Sequence, residues 1–124
     1  MIYTERGREQ ESFIAFAEQA LGVLAKEAYP SFLSLFDSSR LDEHDLLLAL
    51  RYLDEGSPVT KIDDPAQVKG DKRDIYFAPF KDGSGFHLDY GLTTDGELND
   101  LTIQMDFLKK GDGYTVTLDD LHTM

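Results

Sequence analysis

The sequence has no cysteine and no long apolar run. The absence of cysteine excludes disulfides and thiolate sites. Apolar runs such as LLLAL, residues 46–50, are far too short to span a bilayer. The first residues, MIYTERGREQE, carry charges of both signs and no apolar signal-peptide core, so we expect a cytoplasmic protein.

Basic residues are also missing from one long stretch. Between Lys81 and Lys109 the only basic side chain is His87, and the whole chain of 124 residues has a net charge of −12. Such a field repels the phosphates of nucleic acids and of anionic membranes, and it attracts a cationic protein. We therefore predict a cationic protein partner, with no nucleic acid and no membrane. The length predicts a single domain over residues 1–124.

The first half of the chain has the apolar spacing of helices. Between Glu9 and Glu27 apolar residues recur every three or four positions, which predicts an amphipathic helix. A short helix is predicted at 31–36 and a third at 42–53, capped by Asp42 or Ser39. The helical part thus covers about 8–54.

A polar connecting segment follows at about 55–74, with a short strand predicted at 59–62. From 75 to about 120 the apolar period changes to two, which is typical of half-buried strands. Short turns, among them TTDGELND at 93–100, join four such strands, so an antiparallel meander is predicted. Gly91 inside a strand predicts a bulge. The predicted fold is α+β, with the N-terminal helices packed on one face of a roughly four-stranded antiparallel sheet.

The other sheet face is acidic. Since no lysine or arginine is interleaved with its aspartates, their mutual repulsion is predicted to be unrelieved locally. One interpretation is that this face is simply exposed to water, which tolerates the repulsion. The more specific interpretation is that a basic partner protein binds the face and relieves the repulsion. Under the second interpretation the partner-binding residues are Asp89, Asp95, Glu97, Asp100, Gln104, Asp106 and Asp119.

The sequence contains no recognisable catalytic or metal-binding motif. It has no G-x-S-x-G elbow and no phosphate-binding loop, and its histidines are scattered. A zinc site from His87, Asp89 and Asp106 is geometrically conceivable, but its spacing has no second paired ligand. We therefore expect no metal, no cofactor and no enzymatic activity.

The strand-rich half resembles a known class of bacterial proteins. Its elements FHLDYGLTTDG, LNDLTIQMDF and YTVTLDDLH are similar to those of small acidic immunity proteins encoded beside contact-dependent or polymorphic toxins. That resemblance implies no catalysis and a tight interface with a secreted toxin domain, often a basic nuclease. The function it implies is binding and neutralisation of a cognate toxin.

A different class remains open as the alternative. The order of helices followed by a curved sheet is also compatible with a small-molecule-binding or structural domain of nuclear-transport-factor-like shape, without a toxin partner. Such a pocket needs polar groups inside the apolar face, and the pattern shows few. The oligomeric state is not indicated by the sequence.

Overall fold

The computed structural model describes residues 1–68 and 73–123. Residues 69–72 of the predicted connecting segment lie outside the described residues. The helices are α1 (Glu9–Ala25), α2 (Tyr29–Ser34), α3 (Glu43–Leu50) and a 3₁₀ turn at Pro65–Gln67. The strands are β1 (Ser38–Ser39), β2 (Ile75–Pro79), β3 (Gly85–Thr94), β4 (Glu97–Lys110) and β5 (Gly113–Thr123).

The sheet confirms the α+β class but not the predicted strand count. Its described part has five strands in the order β1-β5-β4-β3-β2. The pairs from β2 to β5 are antiparallel, as predicted, whereas β1 pairs with β5 in parallel. The sheet is therefore mixed. A two-residue strand of serines has no apolar alternation, so the pattern could not identify it.

Helix α1 covers the inner face of the sheet. Its buried residues are Phe13, Ala17, Ala20, Leu21 and Leu24, which is the face predicted from the spacing. The Phe13 ring stacks on the ring of Phe107 in β4, with centroids 4.1 Å apart and planes 7° apart. Burying a large side chain fully contributes about 1.5–3 kcal/mol, so these contacts account for much of the stabilisation of the two layers.

Helix α3 begins where predicted and ends earlier. Asp42 accepts a hydrogen bond from the backbone N–H of Asp45, and the Asp45 side chain accepts one from the N–H of Asp42, which makes a capping box. The helix was predicted to end at Leu53, but it ends at Leu50. Tyr52 and Leu53 then adopt left-handed backbone conformations with φ of 53° and 63°.

The turn between β3 and β4 is shorter than the predicted one at 93–100. Only Asp95 and Gly96 form it, both with positive φ (51° and 81°), as in a type I′ hairpin. Glu97 and Asp100, placed in the turn by the sequence, are strand residues of β4.

Residues 59–62, which were predicted to form a short strand, do not form one. This part of the connecting segment is instead tied to the end of the hairpin. The backbone N–H of Asp63 bonds to the carbonyl of Thr93, and its carboxylate accepts bonds from the N–H groups of Asp95 and Gly96. Partial burial opposes ionisation, but these bonds and one from the Thr93 hydroxyl hold the pKa of Asp63 below its usual range.

The strand pairing is irregular at two places. The pairing of β3 with β4 shifts between Gly91 and Thr93, which confirms the bulge predicted at Gly91. A second shift, between Gln104 and Met105, affects the pairing of β4 with β5. Among the described residues, no helix combines the length and the apolar character needed to cross a membrane.

Candidate functional site

The seven predicted partner-binding residues do not form one patch. Asp89, Gln104 and Asp106 are neighbours on the central strands β3 and β4. Asp95, Glu97 and Asp100 lie at the β3–β4 hairpin end, roughly 13–20 Å away at 3.3 Å per strand residue. Asp119 lies on β5, opposite the second register shift. Each group has different surroundings.

The central group is a hydrogen-bonded network around His87. The Nδ1 atom of His87 lies 2.6 Å from Oδ1 of Asp106, and its Nε2 atom lies 2.5 Å from Oδ1 of Asp89. The Gln104 amide donates a further bond, 2.9 Å long, to the same oxygen of Asp89. The side chains of Asp89 and Asp106 are only 20% and 19% exposed.

This network corrects the prediction of unrelieved repulsion. Desolvation favours the neutral form of His87, but the hydrogen bonds to Asp106 and Asp89, with their charges, outweigh it and raise the His87 pKa. In its protonated form, the imidazole neutralises part of the local negative charge. Asp89 and Asp106 bond to opposite nitrogens of the imidazole ring. A metal ion bound to one of these nitrogens could therefore not be coordinated by both aspartates.

Asp119 also has a basic partner within the chain. The Nε atom of Arg40, in the loop after β1, lies 3.1 Å from Oδ1 of Asp119. Asp119 is largely covered, and Arg40 is exposed. The parallel pairing of β1 with β5 brings these two residues together, although they are far apart in sequence.

The hairpin end differs, because it combines acids with exposed apolar side chains. Leu53 is 72% exposed, Leu98 49% and Tyr52 43%. The Tyr52 hydroxyl donates a hydrogen bond to the carbonyl of Asn99, which joins the end of α3 to the start of β4. We call this the hairpin surface: Tyr52, Leu53, Asp95, Glu97, Leu98, Asn99 and Asp100.

Backbone strain is concentrated on the hairpin surface. In the described part of the chain, five non-glycine residues have positive φ, and Tyr52, Leu53, Asp95 and Asp100 are four of them. Such conformations cost on the order of 1–3 kcal/mol each for bulky residues, and they cluster at functional sites. Aspartate tolerates this region better than leucine or tyrosine, so the strain is greatest after α3.

The apolar members of this surface could not be identified from the sequence. Leu53 continues the apolar spacing of the predicted third helix, and Leu98 falls within the predicted turn at 93–100. A signal was present in YLDEG and GELND, where single leucines are flanked by acids and glycine. That signal does not distinguish a buried leucine from an exposed one.

A cavity of about 300 Å³ lies between α1 and β3 on the helical side of the sheet. Inside it, the Tyr90 hydroxyl donates a 2.6 Å hydrogen bond to Oε2 of Glu18. The Arg73 guanidinium lies 3.6 Å from the same oxygen. The expectation of few polar groups inside the apolar face was therefore wrong here. The strand pattern hid the hydroxyl, because Tyr90 occupies an apolar position of the alternation.

One acidic group could be mistaken for a metal site. Asp42, His44 and Asp45 bring their ligand atoms within 4.8 Å of one another at the start of α3. All three are exposed, and the two aspartates already serve as the capping box. The hydrogen bond from the Asp45 N–H is the main reason why the pKa of Asp42 is lowered. Helix capping thus accounts for this cluster.

Comparison with known proteins places the chain in a family. Neither the curated proteins nor the solved structures include a match to it. The profile of one family, described as a domain of unknown function (DUF7668), matches residues 23–124. The match begins within α1 and includes α3, the entire described sheet, the hairpin surface and the His87 network. This chain belongs to the DUF7668 family.

Proposed function

We propose that this protein is a non-catalytic acidic binding module that neutralises a cationic toxin domain, and that the hairpin surface is its interface. The observation that carries the proposal is the coexistence of exposed apolar side chains with the exposed aspartates Asp95 and Asp100 at one end of the sheet. Protein interfaces combine an apolar centre with a polar rim. Leu53, Leu98 and Tyr52 supply the apolar part, and Asp95 and Asp100 supply charge around it.

The other acidic residues fit this role less well. Asp89 and Asp106 already engage His87, and Asp119 engages Arg40. Their charges are already partly neutralised by contacts within the protein, so they would contribute less to the binding of a partner. We therefore assign Asp89, Gln104 and Asp106 a structural role. The resemblance to immunity proteins and the net charge of −12 support a basic toxin domain as partner.

On this proposal a toxin domain is encoded beside this protein, and the test measures association with that domain at low salt. The variant D95N/E97Q/D100N removes three charges, and asparagine tolerates the positive φ of Asp95 and Asp100. We expect association to slow by roughly ten-fold, because electrostatic steering mainly sets the on-rate. The difference should shrink above about 0.1 M salt, where the Debye length falls to about 10 Å.

The matched control is E5Q/E11Q/E27Q. These three exposed glutamates do not belong to the hairpin surface, and the variant removes the same charge. If both variants slow association equally, only net charge matters and the interface assignment is wrong. If the wild-type protein does not bind or inhibit the toxin domain, the proposed function itself is wrong.

The apolar part needs its own measurement. Leu98→Ser removes an exposed side chain without changing charge, and we expect mainly faster dissociation. Contacts formed after docking act on the off-rate more than on the on-rate. Leu108→Ser is the control, since Leu108 is an exposed leucine near the opposite end of β4. Equal dissociation rates for the two variants would place the interface elsewhere.

A further inference from the structure

We infer that the cavity between α1 and β3 binds a small organic cation with an apolar body, such as an aromatic or alkyl amine. The site is separate from the hairpin surface and goes beyond toxin binding. At about 300 Å³ it lies at the lower end of the range for ligand pockets. The occupant is therefore expected to be small.

The cavity lies beside the bulge in the sheet. Its β3 wall is the stretch where the pairing with β4 shifts, between Gly91 and Thr93. The opposite wall is α1, and residues 63–68 of the connecting segment, which include the 3₁₀ turn, form a third side. The apolar lining comes from all three elements: Leu21, Pro65, Val68 and Leu92. This lining suits the hydrocarbon part of an amine.

The polar groups of the cavity favour a positive charge. Glu18 and Asp63 contribute two carboxylates, against the single guanidinium of Arg73. Asp63 is engaged by the hairpin turn, so Glu18 is the group expected to meet the ligand. The Tyr90 hydroxyl and the Arg73 guanidinium both contact Oε2 of Glu18. Since an ionised carboxylate offers about four acceptor sites, Glu18 can accept a further hydrogen bond from a ligand. An anionic ligand would instead meet two carboxylates in a strongly negative protein.

Tyr90 fixes the position of that carboxylate. Burial raises the pKa of the Tyr90 hydroxyl, and the hydrogen bond to Glu18 raises it further, so the phenol stays protonated and donates. A carboxylate held by a buried donor is preorganised to accept an ammonium group. Ligands bind more tightly to groups that need no reordering.

The test is an NMR titration of the ¹⁵N-labelled protein with three probes of similar shape: phenethylamine, 3-phenylpropionate and ethylbenzene. We expect phenethylamine to bind with a Kd on the order of a millimolar, as its size allows. Its shifts should include the amides of Gly91, Leu92 and Thr93. Equal or tighter binding of 3-phenylpropionate or ethylbenzene would overturn the assignment to cations. The absence of saturable shifts with phenethylamine would overturn the site.

Three variants test whether the amine binds in the cavity or is attracted only by the general negative charge. Glu18→Gln should weaken phenethylamine binding by roughly ten-fold, as expected for loss of a charge-assisted contact. Glu11→Gln, on the same helix and exposed, should leave binding unchanged. Equal weakening by both would show that only the overall field attracts the amine. Val68→Trp, which narrows the cavity without a charge change, should also abolish binding, and retained binding would contradict the location.

The two proposals fail independently. The variant D95N/E97Q/D100N should bind phenethylamine like the wild type, because Asp95, Glu97 and Asp100 do not line this cavity. Loss of amine binding in that variant would contradict a separate site. Loss of toxin binding in it leaves the cavity assignment intact.

Discussion

At the scale of single residues, His87 has the clearest physical role. In the sequence it is one of three scattered histidines and the only basic residue among several acids. In the fold, β3 places it two residues from Asp89 on the same strand face, and the pairing with β4 places it opposite Asp106. Hydrogen bonds to charged groups contribute about 1.5–3 kcal/mol each when partly buried. His87 therefore stabilises an acidic sheet face that would otherwise repel itself.

The pH dependence of stability tests this role. The pKa of His87 is raised in the folded state, so its contribution is fully present below pH 6.5 and is lost as the pH rises through the folded pKa. We expect the wild type to be less stable to urea at pH 9 than at pH 6. The loss over that interval should be clearly smaller in His87→Gln.

The control for this experiment is His44→Gln, because the His44 side chain is 73% exposed. That variant should keep the wild-type pH dependence. A His87→Gln protein that loses as much stability as the wild type between pH 6 and pH 9 would show that the network contributes nothing through protonation.

At the scale of elements, the end of α3 and the β3–β4 hairpin together form the strained surface. Helices commonly end with a left-handed glycine, but here Tyr52 and Leu53 take that conformation. A leucine there costs about 1–2 kcal/mol relative to an unstrained residue. Since Leu53 is also exposed, burial does not compensate for the strain. The arrangement is costly for folding and presents an apolar side chain for binding.

Substitution by glycine separates these two effects. Leu53→Gly should raise the free energy of unfolding by about 0.5–1 kcal/mol, because glycine adopts positive φ without strain. The same change should weaken binding of the toxin domain. Urea unfolding and binding kinetics on the same preparation measure both quantities.

Glu27→Gly is the matched control, because Glu27 is exposed and has φ of 61° but lies outside the hairpin surface. It should gain similar stability and keep wild-type binding. A Leu53→Gly protein that is less stable than the wild type would show that Leu53 makes packing contacts that outweigh its strain.

At the scale of the whole molecule, stability comes from one apolar core between the helices and the sheet. Leu50 of α3 and Ile103 of β4 belong to that core and are 2% and 0% exposed. The aromatic cluster around Phe13 joins α1 to β2, β3, β4 and β5. Removing atoms from such an interior costs their transfer energy and leaves a cavity.

Leu50→Ala and Ile103→Ala should therefore each destabilise the protein by roughly 2–4 kcal/mol, measured by urea unfolding. Leu108→Ala, at an exposed position of β4, should change stability by no more than about 0.5 kcal/mol. Unchanged urea midpoints for both core variants would contradict the two-layer packing.

The elements whose burial follows a local period could be predicted from apolar spacing. The face of α1, the alternation in β3, β4 and β5, the Asp42 cap and the bulge at Gly91 could all be predicted. Each of these depends on residues within a few positions of one another, and apolar periodicity reports such local burial directly. The overall α+β class follows from their order along the chain.

Features that depend on pairs of residues far apart in sequence are visible only in the tertiary structure. The parallel strand β1 pairs Ser38 with Thr117, which is 79 positions away, and neither residue carries a pattern that indicates the other. The same holds for Arg40 with Asp119 and for Glu18 with Tyr90. The cost of a charge or a hydroxyl depends on what surrounds it after folding, and periodicity records only whether a position is apolar. The candidate sites therefore became visible only once the layers had packed.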